Sequence, residues 1–167
     1  IIGPNSDSQA TLGDWSRIQP DNNVTTVYEG ISEIVDNKTK INYLECDSHG
    51  NISSKILKEA ENLMKLSDVG IVVIGEYSIR FSWDSRTSGE NLDKTKLIPG
   101  NQIELVKAIK KTGKPVVVVL INGAPVGSEW LVNNADAIIE AWEPGLLGGQ
   151  AVAEVVFGEY NPGGRLP

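Results

Sequence analysis

One stretch of the chain, residues 76–99, gathers most of the side chains that could do chemistry: Glu76, Tyr77, Arg80, Phe81, Trp83, Asp84, Arg86, Glu90 and Asp93. Carboxylates, guanidinium groups and aromatic rings within one excursion suit a sugar. Aromatic faces cover the apolar side of a pyranose ring, and carboxylates accept hydroxyl hydrogen bonds or move protons. A charged, solvated loop would have the same composition, and periodicity does not separate the two readings. Length favours function: the stretch shows little apolar periodicity, and loops beyond about 12–15 residues in compact domains tend to carry function or to be disordered.

Other chemistries find less support. Gly3-Pro4-Asn5 lacks the G-x-G-x-x-G dinucleotide pattern, and no G-x-x-x-x-G-K-[ST] phosphate loop occurs. The glycine turn at residues 145–149 opens a helix, where an anion could sit, but a close strand-to-helix turn is the simpler explanation. Cys46 and His49, beside Asp47, are too few for a metal centre, so neither a metal nor a cofactor is expected. The lone histidine, His49, and the lack of a G-x-S-x-G elbow before a helix disfavour a Ser-His-Asp nucleophile.

These side chains need a frame, and the apolar pattern supplies one. Short Val- and Ile-rich runs alternate with stretches of helical period, which predicts an α/β three-layer sandwich with a mostly parallel central sheet of about five or six strands and helices on both faces. Strands are predicted at residues 1–3, 41–46, 69–75, 116–121 and 137–142, the runs at 69–75 and 116–121 being interior because they are apolar throughout. Helices are predicted from about Thr25, with Val27, Ile31, Ile34 and Val35 buried. Others follow Ser53, run through Ile103 to Ile109 and stop at Gly113, and span residues 149–157 up to Gly158. In an open parallel sheet ligands bind outside the carboxyl ends of the strands. The loops expected on that edge are Gly13-Asp14-Trp15, residues 76–99, Asn122-Gly123-Ala124-Pro125 and Trp142-Glu143-Pro144-Gly145.

Composition bounds the rest. With 167 residues, 40% hydrophobic and 22% charged, the chain is expected to form one domain, residues 1–167, with a core of its own. A formal charge of -7 disfavours nucleic acid or an anionic membrane surface as partner, and no apolar run approaches the length of a membrane span. One cysteine excludes a disulfide framework. The chain opens at Ile1 inside what reads as a strand, so it is expected to be a piece of a longer protein.

An ordered set of motifs then runs through nearly the whole chain. It comprises Ile2-Gly3-Pro4-Asn5, Leu12-Gly13-Asp14-Trp15-Ser16, Thr26-Val27-Tyr28-Glu29-Gly30-Ile31, Ser88-Gly89-Glu90 with Asp93, and Leu97-Ile98-Pro99 followed by Gln102. Thr112-Gly113-Lys114-Pro115-Val116-Val117, Asn122-Gly123, Ala141-Trp142 with Pro144-Gly145, Gly148-Gly149 and Asn161-Pro162-Gly163-Gly164-Arg165-Leu166-Pro167 complete it. In this order they resemble the second domain, the α/β sandwich, of glycoside hydrolase family 3, the family of β-glucosidases, β-xylosidases and exoglucanases.

The resemblance implies a retaining, exo-acting β-glycosidase that removes terminal β-linked sugars, its active site lying between this domain and a preceding (β/α)8 barrel of the same polypeptide. The nucleophile would be an aspartate of that barrel, absent from this sequence. The general acid/base would come from the second domain. The Ser-Gly-Glu match places it at Glu90, with Glu76 the competing candidate because members often carry Gly-Glu at that strand end. Asp93 and Lys94 fall where many relatives have an Asp-Arg pair that braces the loop. Lys94 departs from that pair, since an ammonium does not reproduce the bidentate geometry of a guanidinium. Trp15 matches a tryptophan that stacks on the sugar beyond the scissile bond in some relatives; packing over the sheet edge is the alternative. The expected substrate-binding residues are thus Trp15, Glu76 and Asp93, and the expected ligand is a β-glucoside or β-xyloside. The other reading is a non-catalytic carbohydrate-binding or structural module. The compartment, cytoplasmic or secreted, stays open.

Overall fold

The computed structural model describes residues 1–77 and 98–165. Two apolar runs become the centre of a parallel sheet. β1 (Gly70–Gly75) is buried at every position and pairs with β2 (Val116–Ile121), Gly70 opposite Val116 and Gly75 opposite Ile121. β3 (Ala137–Glu140) pairs in parallel with the other side of β2 and lies partly exposed. Strands covered on both faces take apolar residues at every position, because neither face meets water.

Beyond β1 the sheet continues by isolated bridges, Ile2 with Val72 and Ile2 with Leu44, both parallel. The strands expected at residues 1–3 and 41–46 are therefore single bridges. Among the described residues the sheet has three strands, so the expected count of about five or six is not reached. Sequence chemistry explains the shortfall at the first segment. Ile2 exchanges backbone hydrogen bonds with Ile71 and Val73, but Pro4 has no N–H with which to prolong a ladder.

Alternate residues of β1 and β2 point to opposite faces, and helices cover both. Val72, Ile74, Val116, Val118 and Leu120 pack against Ala60 and Met64 of α2 (Ser54–Lys65), Leu105, Val106 and Ile109 of α3 (Gln102–Lys110), and Leu131 of α4 (Glu129–Asn134). Ile71, Val73, Val119 and Ile121 pack against Val27 and Ile31 of α1 (Val27–Ile34) and Val152 and Ala153 of α5 (Gly148–Phe157). Each buried Val, Leu, Ile or Met side chain gains about 1.5–3 kcal/mol from burial, so the two faces together hold the sheet.

Local signals set the helix ends. Thr26 accepts from Glu29 N while the Glu29 carboxylate accepts from Thr26 N, a capping box that starts α1. Ser53 and Ser128 cap α2 and α4, and Gly158 in the left-handed conformation ends α5. The sequence pattern does not predict α4, which is too short to show a period. No described helix is long and apolar enough to cross a membrane.

Candidate active site at the carboxyl edge of the sheet

The ends of the parallel strands are tied into one knot of backbone and side chain. Glu76 N donates to the Ile121 carbonyl at 2.9 Å. Asn5, fully buried beyond the Ile2 bridge, donates from Nδ2 to the carbonyls of Glu76 (3.1 Å) and Ile121 (3.3 Å). Only glycine fits at position 75: φ is +141°, and a Cβ would lie 1.9 Å from the Ile121 oxygen. On the other side, buried Gln102 at the start of α3 accepts from Gly75 N (3.1 Å) and donates from Nε2 to the carbonyls of Gly75 (2.8 Å) and Pro99 (3.0 Å).

Glu76 itself is almost wholly buried, at 4% exposure. Its Oε2 accepts from Gly123 N at 3.0 Å and Ala124 N at 3.1 Å, joining the end of β1 to the turn after β2. That turn is held from the far side as well, because Asn122 N donates to the Trp142 carbonyl (3.2 Å) and Asn122 Nδ2 to the Ala124 carbonyl (2.9 Å). The turn after β3 joins the group in the same way. Trp142 takes a left-handed φ of 54°, rare for a large side chain, and its N–H reaches Glu140 Oε1 at 3.2 Å. Burial pushes the Glu140 carboxyl above the usual carboxylate range, opposed by the Trp142 N–H and the Asn122 amide and reinforced by the charge of Glu76.

The Gly13-Asp14-Trp15 loop closes the edge. Gly145 N donates to the Thr11 carbonyl at 2.7 Å, and the Glu143 side chain lies against both Gly13 and Gly123, so close that a Cβ at either would come within 2.7 Å of it. Asp14 is buried, whereas Trp15 stands 66% exposed at the rim.

Of the residues singled out in the sequence, the structure brings together Glu76, the loop bearing Trp15 and the turns at 122–125 and 142–145, on one edge as expected. Glu90, Asp93, Lys94 and the rest of residues 78–97, Trp83 included, lie outside the described residues. Tyr77 turns toward His49, ring centroids 4.4 Å apart, and His49 is engaged by Ser48 and Asp47. Burial pushes the Cys46 thiol up to about 11, so it stays protonated near neutral pH. The glycine turn at 145–149 is a close backbone contact, with Gly148 N and Gly149 N already donating to Gly145 and Thr25. Sequence reasoning gave no role to Glu140 and read Asn5 and Gln102 only as parts of motifs. An acidic residue closing an apolar strand, as Glu140 does, is the one signal that pointed there.

The chain is similar to proteins of known activity along its whole length. The profile of the glycosyl hydrolase family 3 C-terminal domain matches residues 1–167. A beta-xylosidase of Formosa agariphila is 37% identical over 174 residues, covering 99% of this chain and 23% of that protein. A periplasmic beta-glucosidase of Salmonella typhimurium is 36% identical over 189 residues, covering 100% of this chain and 24% of that protein. The chain thus spans less than a quarter of either relative's length. Among solved structures, a beta-glucosidase from Listeria innocua in complex with isofagomine superposes with a TM-score of 0.82 at 26% identity, covering 96% of this chain and 21% of that one.

Proposed function

We propose, since this chain belongs to the glycosyl hydrolase family 3 C-terminal domains, that it is the second domain of a retaining, exo-acting β-glycosidase acting on a β-linked glucoside or xyloside. The observation that carries the reading is the gathering of the strand-end loops on one edge, in a chain matched throughout by β-glycosidases. Glu90 is the general acid/base, and the nucleophile is an aspartate of a (β/α)8 barrel earlier in the same polypeptide. In the first step Glu90 protonates the glycosidic oxygen as the aspartate attacks the anomeric carbon. In the second, Glu90 takes a proton from the water that releases the sugar. Trp15, exposed at the rim, covers the sugar beyond the scissile bond, and Asp93 supports the substrate from the Glu90 stretch. Glu76 fits the acid/base role less well, since its side chain is buried and one carboxylate oxygen already accepts from two backbone donors.

The test is hydrolysis of nitrophenyl β-glucoside and β-xyloside by the full-length polypeptide and its Glu90→Gln and Glu76→Gln variants, with and without azide. Glu90→Gln is expected to lose about 10²–10⁴-fold in rate and to regain turnover with azide, giving a β-glycosyl azide. Rescue of Glu76→Gln instead would move the acid/base to Glu76. A folded full-length protein inactive on both substrates would leave another glycoside as substrate, or the carbohydrate-binding module, as the reading.

A further inference from the structure

We infer that Glu76 is a positioning residue: it ties the turn after β2 to the end of β1 and thereby fixes the point from which the stretch bearing Glu90 departs. The inference rests on the reading of Glu90 as acid/base. Its geometry is that of a brace. The side chain is buried beneath the edge, and Oε2 receives the Gly123 and Ala124 N–H groups at 3.0 and 3.1 Å. The backbone of the same residue is held through Ile121 and Asn5. One residue further back, Gln102 grips both the N–H and the carbonyl of Gly75, and the same amide reaches Pro99, where the chain returns from residues 78–97. Departure and return are thus fastened to Gly75, the last residue of β1, and to Glu76, the residue after it.

Removing the carboxylate would deprive the Gly123 and Ala124 N–H groups, at the partly exposed turn, of the acceptor they share, and each must then turn to water or another acceptor, which frees the turn from the end of β1. The turn and the chain leaving β1 would then shift relative to one another. Proton transfer tolerates such a shift poorly, for a displacement of about 1 Å at a reacting group costs on the order of 10²-fold in rate. Glutamine in place of glutamate keeps an acceptor oxygen at the same reach, whereas alanine keeps none.

In the full-length polypeptide, Glu76→Ala is therefore expected to lower kcat about 10²-fold with KM little changed, and Glu76→Gln to recover most of that loss. Neither variant gains from azide, and the pH–rate limbs stay where they are in the unmodified protein. Hydrogen exchange at Gly123 and Ala124 is expected to be slow in the unmodified protein and in Glu76→Gln, and fast in Glu76→Ala. Azide rescue of Glu76→Gln, or loss of a pH limb in it, would overturn the inference by making Glu76 a proton carrier. So would exchange at Gly123 and Ala124 that stays slow in Glu76→Ala. Should Glu76→Ala not fold, a loss in Glu76→Gln as deep as that in Glu90→Gln would overturn it. Should the full-length protein hydrolyse neither substrate, the reading as a β-glucosidase or β-xylosidase fails, and the exchange measurement still decides for or against the brace.

Discussion

Glu140 shows how a residue at the last position of a strand inherits a burden from its neighbours. Half-buried at the end of β3 and near the Glu76 charge, it is easier to protonate than a free glutamic acid. A carboxyl whose folded pKa is raised contributes stability below its unfolded pKa, and that contribution is lost as pH rises through the folded value. At neutral pH the ionised Glu140 is thus a net cost to the fold. Glu140→Gln cannot ionise and still offers an oxygen to Trp142 N, so its Tm is expected to match the parent's near pH 4 and to exceed it by about 2 °C near pH 7, the half-exposed charge being partly screened. Thermal unfolding at the two pH values checks this; an equal Tm difference at both would mean that the charge is not the cause. The sequence could mark Glu76, Asn122 and Trp15 because they follow apolar runs or punctuate glycine turns. It could not assign Glu140, Asn5 or Gln102 their parts, since what each does depends on a strand or turn distant in sequence.

At the scale of elements, α1 and α5 approach one another closely. The first turn of α5 lies on the start of α1 backbone against backbone: a Cβ at Gly149 would come 1.9 Å from the Thr26 oxygen, and one at Gly30 would come 2.3 Å from the Gly149 oxygen. Gly149 N also donates to the Thr25 carbonyl at 2.9 Å. Backbone atoms cannot swing aside as a flexible side chain can, so Gly149→Ala must push the helices apart. It is expected to cost about 3 kcal/mol, a fall in Tm of about 6–12 °C. Gly127→Ala, where nothing lies within 4 Å of the added carbon, is the control and is expected to stay within about 0.5 kcal/mol of the parent. Equal stability of the two variants in a denaturant titration would contradict the contact. The long periodic elements were readable: β1 and β2 from unbroken apolar runs, α2 from its stripe and Ser53, α5 from the glycine after it. The six residues of α4 were not, for Trp130, Leu131 and Val132 in succession have no period and only Ser128 announces a start.

For the whole molecule the question is what one domain can do alone. Both faces of the sheet are covered by helices of this chain, with Val72, Val73, Val116, Val118, Val119 and Ile121 fully buried between them. Such a core needs no second domain to exclude water, and burial on this scale supports independent folding at this length. The edge is another matter. Trp15, Leu146 and Leu147 stand exposed around the Thr11–Gly145 contact, and the proposed reaction needs two carboxyl groups on opposite sides of the scissile bond, of which the reading assigns this chain one. Residues 1–167 alone are therefore expected to unfold cooperatively by circular dichroism and to hydrolyse neither nitrophenyl β-glucoside nor β-xyloside above the rate of buffer. Turnover by the purified fragment, abolished by either Glu76→Gln or Glu90→Gln, would place both carboxyls in this domain and remove the need for a nucleophile from elsewhere. A fragment that neither folds nor turns over would mean that the core is completed by a partner surface, and the exposed apolar side chains of Trp15, Leu146 and Leu147 offer one place for it beside the site.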